Sequence, residues 1–140
     1  MTDSSIPYVS VVLPVFNERG HLQDEIDRIS AALEASPYTY EIIVVDDGST
    51  DGSGERLRNT PGIRLVQYPV NRGPGFARRA GSTVARGEVV VWTDVDMTYP
   101  NERIPALVAR LHDGEDQVVG ARTSEQGTVK FFRVPAKWAI

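Results

Sequence analysis

GEVVVWTDVDMTYP, residues 87–100, is the stretch on which the fold turns. The apolar run Val89–Trp92 is too short for a typical helix and follows Gly87, so it reads as a strand buried on both faces. It ends on two carboxylates, Asp94 and Asp96. Residues i and i+2 of an extended chain point to the same side, so both acids can face one object. In open α/β sheets the loops at the carboxyl ends of strands are where ligands bind, and a divalent cation is the natural candidate for this pair.

Upstream, NRGPG opens a helix that runs through Ala85, and its Ala77, Ala80, Gly81 and Val84 form a small-residue face suited to close packing on a sheet. Gly87 terminates that helix as a C′ glycine would. Downstream, Pro100 and Asn101 start a helix extending to Leu111, and Gln117–Gly120 reads as a fifth strand. Nearer the N-terminus, Tyr8–Pro14 is β-branched and apolar, a first strand. His21–Ala35 places Leu22, Ile26, Ile29 and Leu33 on one helical face, closed by Pro37. Glu41–Asp46 is a second apolar run ending on an acid, followed by the turn-forming DGSTDGSG and a short helix over Glu55–Arg58. Ile63–Tyr68 is a third strand, placed nearer an edge because Arg64 and Gln67 interrupt it.

The order βαβαβαβαβ predicts an α/β fold, with a mostly parallel sheet, helices on both faces and right-handed crossovers. At 140 residues with 41% hydrophobic content, the chain has enough apolar surface for a single core. The formal charge of −4 gives no basic field for nucleic acid. With no cysteine and only His21 and His112, neither a disulfide framework nor a structural zinc site can be assembled. A metal would be held by oxygen, which favours Mg²⁺ or Mn²⁺. The start, MTDSSIPYVS, has no apolar h-region, and no apolar run approaches the ~20 residues of a membrane span. A cytoplasmic or peripheral location is therefore expected.

Three strand ends on one sheet edge would gather Glu18, Asp46, Asp47, Asp94 and Asp96 into a crevice whose like charges call for a bound cation. Asp46-Asp47-Gly48-Ser49 also serves turn chemistry, with Asp51 or Ser53 capping a helix, and both readings stay open. The helix after NRGPG offers free backbone N–H groups to an anion, with Arg78 and Arg79 one turn inside, although a solvated helix face explains those arginines equally well. GxxxxGK[ST] is absent and GPG lacks the GxGxxG spacing, which argues against ATPase and dehydrogenase chemistry. His21 and His112 belong on exposed helix ends.

In combination, PVFNE (Pro14–Glu18), VVDDGSTDGS, NRGPGFARRAG and DVDMTYP resemble the family 2, nucleotide-sugar-dependent glycosyltransferases of the GT-A fold. The resemblance spans Val9–Arg122. Within that family the chain looks most like polyprenyl-phosphate sugar synthases of the dolichyl-phosphate mannose synthase type. It implies a GT-A domain over residues 1–122, with 123–140 beginning an acceptor or membrane-proximal region. It also implies a UDP- or GDP-sugar donor, Mg²⁺ or Mn²⁺, a lipid-phosphate acceptor, and transfer with inversion.

Residue by residue, the resemblance places Pro14, Phe16 and Glu18 around the nucleoside, Asp46 on the base and Asp47 shaping the pocket. Asn71 belongs to the substrate-binding NRGPG motif. Asp94 would lie near ribose and metal, with Asp96 as chief metal ligand and a catalytic residue. Arg79 would meet a donor phosphate, and Arg122 a donor or acceptor phosphate, also in a catalytic role. Two departures stand out: Pro74 replaces a frequent Lys, and Thr98 stands where a Gln is frequent beside the metal. The tail KFFRVPAKWAI interleaves aromatic and basic residues, as an interfacial segment would, and Arg133 would hold an acceptor phosphate. Packing on the domain is the other reading of that tail.

Two rival functions remain at this level. WTDVDMT also fits the DxDxT of haloacid-dehalogenase-type phosphotransferases, but that motif belongs on the first strand of its domain. A non-catalytic nucleotide-sugar-binding module is the other, because the family's acceptor-binding elements lie beyond this length of chain.

Overall fold

The computed structural model describes residues 5–121. Strands β1 (Val9–Val15), β2 (Tyr40–Asp47), β3 (Arg64–Tyr68) and β4 (Val89–Trp92) alternate with helices α1 (Leu22–Glu34), α2 (Ser53–Arg58), α3 (Pro74–Val84) and α4 (Ile104–Leu111). All strand pairs are parallel, in the order β3-β2-β1-β4. The expected α/β architecture is therefore present, with β3 at an edge.

Period-two alternation in the central strands sorts their side chains between two layers. Val9, Val11, Leu13 and Val15 of β1 and Ile42 and Val44 of β2 meet Leu22, Ile26, Ile29 and Leu33 of α1, Leu57 of α2 and Ile104 and Val108 of α4. On the opposite face Val12, Ile43 and Val45 meet Ala77 of α3. The small-residue face of α3 does what its composition implies: a Cβ at Gly81 would stand 2.3 Å from Val12 Cγ1, so only glycine allows this approach.

From β1 the chain steps outward to β2 and β3 with α1 and α2 on one face, then returns past β1 to β4 with α3 on the other. A right-handed crossover at every step requires that change of face when direction reverses. The reversal makes a topological switch point between β1 and β4, flanked by the loops after those two strands.

Three expectations fail. Gly87 is not the C′ glycine of α3, since the helix ends at Val84 with Ala85 as its C-cap and Gly87 lacks a left-handed φ. β4 is not buried on both faces, since Val90 is 40% and Trp92 59% exposed. It is an outer strand of the described sheet, and only Val89 and Val91 pack against the larger core, while the Trp92 indole N–H reaches the Ser82 hydroxyl of α3 at 2.9 Å. Gln117–Gly120 forms no strand. Its apolar content is two valines, and Val119 is 75% exposed, so no burial favours pairing. The helix expected from Pro100 begins as a single 3-10 turn, Asn101–Arg103, before α4.

At the sheet's opposite end, Glu41 of β2 fastens three segments. Its Oε1 accepts from the Ser10 hydroxyl (2.7 Å) and the Arg86 N–H (2.8 Å), its Oε2 from Arg86 Nε (3.2 Å), and Ser10 Oγ accepts from the Gly87 N–H (2.8 Å).

Candidate active site at the carboxyl edge of the sheet

Beyond β4, burial alternates. Thr93 and Val95 are buried, with Val95 in the larger core, while Asp94 is half-buried and Asp96 exposed. Anchoring Val95 inward leaves both carboxylates on the outer side of the chain. The turn closes through Met97 at φ 63°, a left-handed conformation uncommon outside glycine. Thr98 donates its N–H (3.0 Å) and its hydroxyl (2.5 Å) to Asp96 Oδ1. The residue standing in the frequent Gln position thus orients the carboxylate directly.

Asp94 Oδ1 lies 3.0 Å from Arg78 Nη2 of α3, and Arg78 Nε is buried with no partner among the described residues. Arg79 is exposed on the same helix. The arginine held against the acidic pair is therefore Arg78, which helical spacing could not separate from its neighbour.

Across the switch point, Pro14 is half-buried near the end of β1 and Phe16 is 46% exposed just beyond it. Asn17 adopts φ 53° and laces this loop to the one after β2: its N–H donates to Ser49 Oγ (3.0 Å) and its Oδ1 accepts from the Thr50 N–H (2.8 Å). The Arg19 N–H adds a bond to Asp51 (3.3 Å). Burial first, and then the charge of Asp96, push the Glu18 carboxyl above its ordinary range; Asp51 and Asp94 add to this and His21 opposes it. Glu18, Asp94 and Asp96 therefore share one electrostatic environment.

Asp46 and Asp47 are differently placed, both buried with their oxygens engaged by protein donors. Asp46 accepts from the Ser49 N–H (3.1 Å) and Gln67 Nε2 (3.0 Å), beside a cavity of about 450 Å³ lined by Ser49, Gly54, Arg58, Gln67 and Tyr68. Asp47 accepts from the Arg72 N–H (2.9 Å) and the Gly73 N–H (2.7 Å), fixing the loop that leads into α3. That loop passes so close to Gly48 that a Cβ there would stand 2.5 Å from the Asn71 nitrogen, and Asn71 itself is exposed. The five acids thus divide into two buried groups that shape loops and three that face the switch point. Asp51 accepts from the Ser53 N–H and hydroxyl, so the local turn bonds of DGSTDGS are realised, while the expected cap is not: Gly52 is the N-cap of α2 and no side chain bonds there. Arg122, Arg133 and the KFFRVPAKWAI tail lie outside the described residues.

No group of three or more His, Cys, Asp or Glu able to hold a metal occurs among the described residues. Mg²⁺ and Mn²⁺ are commonly held by one or two carboxylates with substrate phosphates and water completing the shell, so the pair Asp94 and Asp96 fits such an ion. Sequence reasoning missed Arg78 as the partner of Asp94, Gln67 as the partner of Asp46, and the buried Asn101, whose Nδ2 donates to the Asp94 main-chain oxygen at 3.1 Å. Gln67 interrupting an apolar strand was the one available signal.

Known proteins resemble this chain in both sequence and fold. The Glycosyl transferase family 2 model matches residues 10–138. An undecaprenyl-phosphate 4-deoxy-4-formamido-L-arabinose transferase of Aeromonas hydrophila is 39% identical over all of this chain, which spans 44% of that relative's length. Glucosyl-3-phosphoglycerate synthase from Mycobacterium tuberculosis, solved with UDP, superposes with a TM-score of 0.61 at 34% identity, covering 78% of this chain and 41% of the other. Mannosyltransferase PcManGT from Pyrobaculum calidifontis, solved with GDP-Man and Mn²⁺, gives a TM-score of 0.58 at 30% identity, covering 71% of this chain and 30% of the other. The architecture is that of the GT-A glycosyltransferases. The chain belongs to glycosyl transferase family 2.

Proposed function

We propose that this chain is the donor-binding part of an enzyme that transfers a sugar from a UDP- or GDP-sugar to a polyprenyl phosphate. The observation that carries the reading is the anchored turn after β4, which holds Asp94 and Asp96 on one side at the switch point, opposite Phe16 and Glu18. The names of the similar proteins support it: an undecaprenyl-phosphate sugar transferase for the acceptor, and complexes with UDP and with GDP-Man and Mn²⁺ for the donor.

In this reading Pro14, Phe16 and Glu18 line the nucleoside pocket, with Phe16 offering its exposed ring to the base. Asp46 presents a buried acceptor to a base N–H, and Asp47 and Asn71 set the path of the loop before α3. Asp94 and Asp96 would hold Mg²⁺ or Mn²⁺, which when bound supplies electrostatic stabilisation of the departing nucleoside diphosphate. Arg78, with its unpaired Nε, and Arg79 provide cationic donors for the phosphates. A lipid phosphate is already an anion, so it can attack the anomeric carbon without a protein base, in a single displacement with inversion. Residues 1–122 would form the donor domain and 123–140 the start of the acceptor region. Arg122, at the end of the donor domain, and Arg133, in the acceptor region, would meet phosphate, and the tail would touch the cytoplasmic membrane face. No helix among the described residues is long and apolar enough to cross a membrane.

The test is transfer to polyprenyl phosphate in vesicles, using UDP- and GDP-sugars with Mn²⁺ or Mg²⁺ and the anomeric configuration of the product read by NMR. A glycosyl lipid of inverted configuration is expected. A retained configuration contradicts the single displacement, and donor binding without transfer, in this chain and in longer forms of it, assigns it to non-catalytic nucleotide-sugar binding.

A further inference from the structure

α1 carries a carboxylate that donor binding does not use. Glu25 is 0% exposed, an expensive position for a charged group unless it is paired and hydrogen-bonded. Arg28 Nη1 lies 3.2 Å from its Oε1, without a hydrogen bond to that oxygen. Its Oε2 accepts from Nδ2 of Asn101, itself buried in the 3-10 turn before α4. The same Nδ2 donates to the Asp94 main-chain oxygen (3.1 Å), and Asn101 Oδ1 accepts from the Thr93 hydroxyl (2.5 Å). Both protons of the amide and one oxygen lone pair are thus engaged, which fixes its orientation. The side chain thus holds the Thr93 hydroxyl with its oxygen and the Asp94 main-chain oxygen with its nitrogen.

α1 is joined to the other side of the crevice as well. The Glu18 main-chain oxygen accepts from the His21 and Leu22 N–H groups (3.3 and 3.2 Å), so the loop bearing Phe16 and Glu18 runs directly into the helix that bears Glu25. Between Asp94 and Asn101 lies Met97 at φ 63°, and backbone in such a region persists only where its surroundings over-determine it.

We propose that Glu25 and Asn101 form a buried clamp that locks the Asp94–Asp96 turn to α1, so that the carboxylates after β4 keep a fixed spacing from the loop after β1. Both are positioning residues, and the clamp would set how tightly the turn holds a nucleotide–metal pair. That consequence rests on the donor-site reading, whereas the clamp itself exists without ligand.

The experiment compares the protein with Glu25→Gln, Thr93→Val and the double variant Glu25→Leu/Asn101→Leu. The double variant removes the buried charge together with its partner but leaves the Thr93 hydroxyl and the Asp94 main-chain oxygen without Asn101, so it should fold and melt below the parent. Without ligand, amide hydrogen exchange at residues 95–98 should quicken about tenfold, the scale of one lost hydrogen bond. Mn²⁺ affinity in the presence of UDP or GDP, read by electron paramagnetic resonance of free Mn²⁺, should fall by about the same factor. Glu25→Gln keeps an oxygen that accepts from Asn101 and should match the parent in both. If the double variant fails to fold, Thr93→Val decides, since it removes only the hydroxyl that holds the amide and should quicken the same exchange.

Parent-like exchange in the double variant, or in Thr93→Val where that decides, overturns the clamp. So does fast exchange in Glu25→Gln. Quickened exchange with unchanged Mn²⁺ affinity overturns its role in metal binding. A parent protein that binds no Mn²⁺–nucleotide defeats the donor-site reading, while the exchange data still judge the clamp.

Discussion

Glu18 has one neighbour that raises the cost of its charge more than any other, Asp96, acting on top of burial. A carboxyl raised in the folded state favours folding while protonated and loses that advantage as pH rises from the ordinary glutamate range through the folded value. Glu18→Gln should therefore melt like the parent at acid pH and above it at pH 7, with the gap opening across that window. A divalent cation with nucleotide should narrow the gap by neutralising Asp96. A constant gap from pH 4 to pH 8 would remove the electrostatic link between the two loops. Asp47 tests the opposite situation, a carboxylate whose oxygens are satisfied by the Arg72 and Gly73 N–H groups. Asp47→Ala leaves those donors without their acceptor and should cost about 2–3 kcal/mol in urea unfolding. An unchanged urea midpoint would mean that the loop before α3 holds itself.

The elements were legible where one strand's own alternation or one helix's own stripe decided them, as in β1, β2 and α1. Burial of β4 was not, because it depends on which strands flank it, and a run of apolar residues reads the same at an edge as at the centre. Gln117–Gly120 failed for a related reason, since two valines do not report whether a sheet edge is within reach. The small-residue face of α3 was legible because close approach demands it. Gly81→Ala should cost about 1–3 kcal/mol by pressing a methyl into Val12, and a neutral result would mean that α3 can slide on the sheet. At the other end of β1, burial raises the Glu41 carboxyl, yet bonds from the Ser10 hydroxyl and from Arg86 together hold it below its ordinary range. That contribution is present above the ordinary glutamate range and is lost as pH falls through the folded value. Glu41→Gln should thus be less stable than the parent at pH 7, with the difference closing toward acid pH in parallel melting curves.

At the scale of the molecule, four short motifs in order pointed to the family, and the doubly wound sheet explains why they work together. They lie at the carboxyl ends of the four described strands, which open on one edge, where the direction of winding reverses between β1 and β4. The sequence could not resolve how the acids divide, because that depends on contacts such as Gln67 with Asp46, 21 residues apart, and Asn101 with Glu25, 76 apart. The resemblance points to Arg79 for a donor phosphate, whereas the arginine set against Asp94 is its neighbour Arg78, and periodicity alone does not separate the two. On the proposed function, this edge of the sheet would bind a nucleoside diphosphate together with a divalent cation. Thermal unfolding with UDP, GDP and ADP, each with and without Mn²⁺ or Mg²⁺, tests it most directly. A ligand at about 100 times its dissociation constant should add roughly 2.7 kcal/mol of stability. A shift for UDP or GDP that requires the cation and disappears in Asp96→Ala is expected. Equal stability under every pairing, or a shift that survives Asp96→Ala, would contradict it.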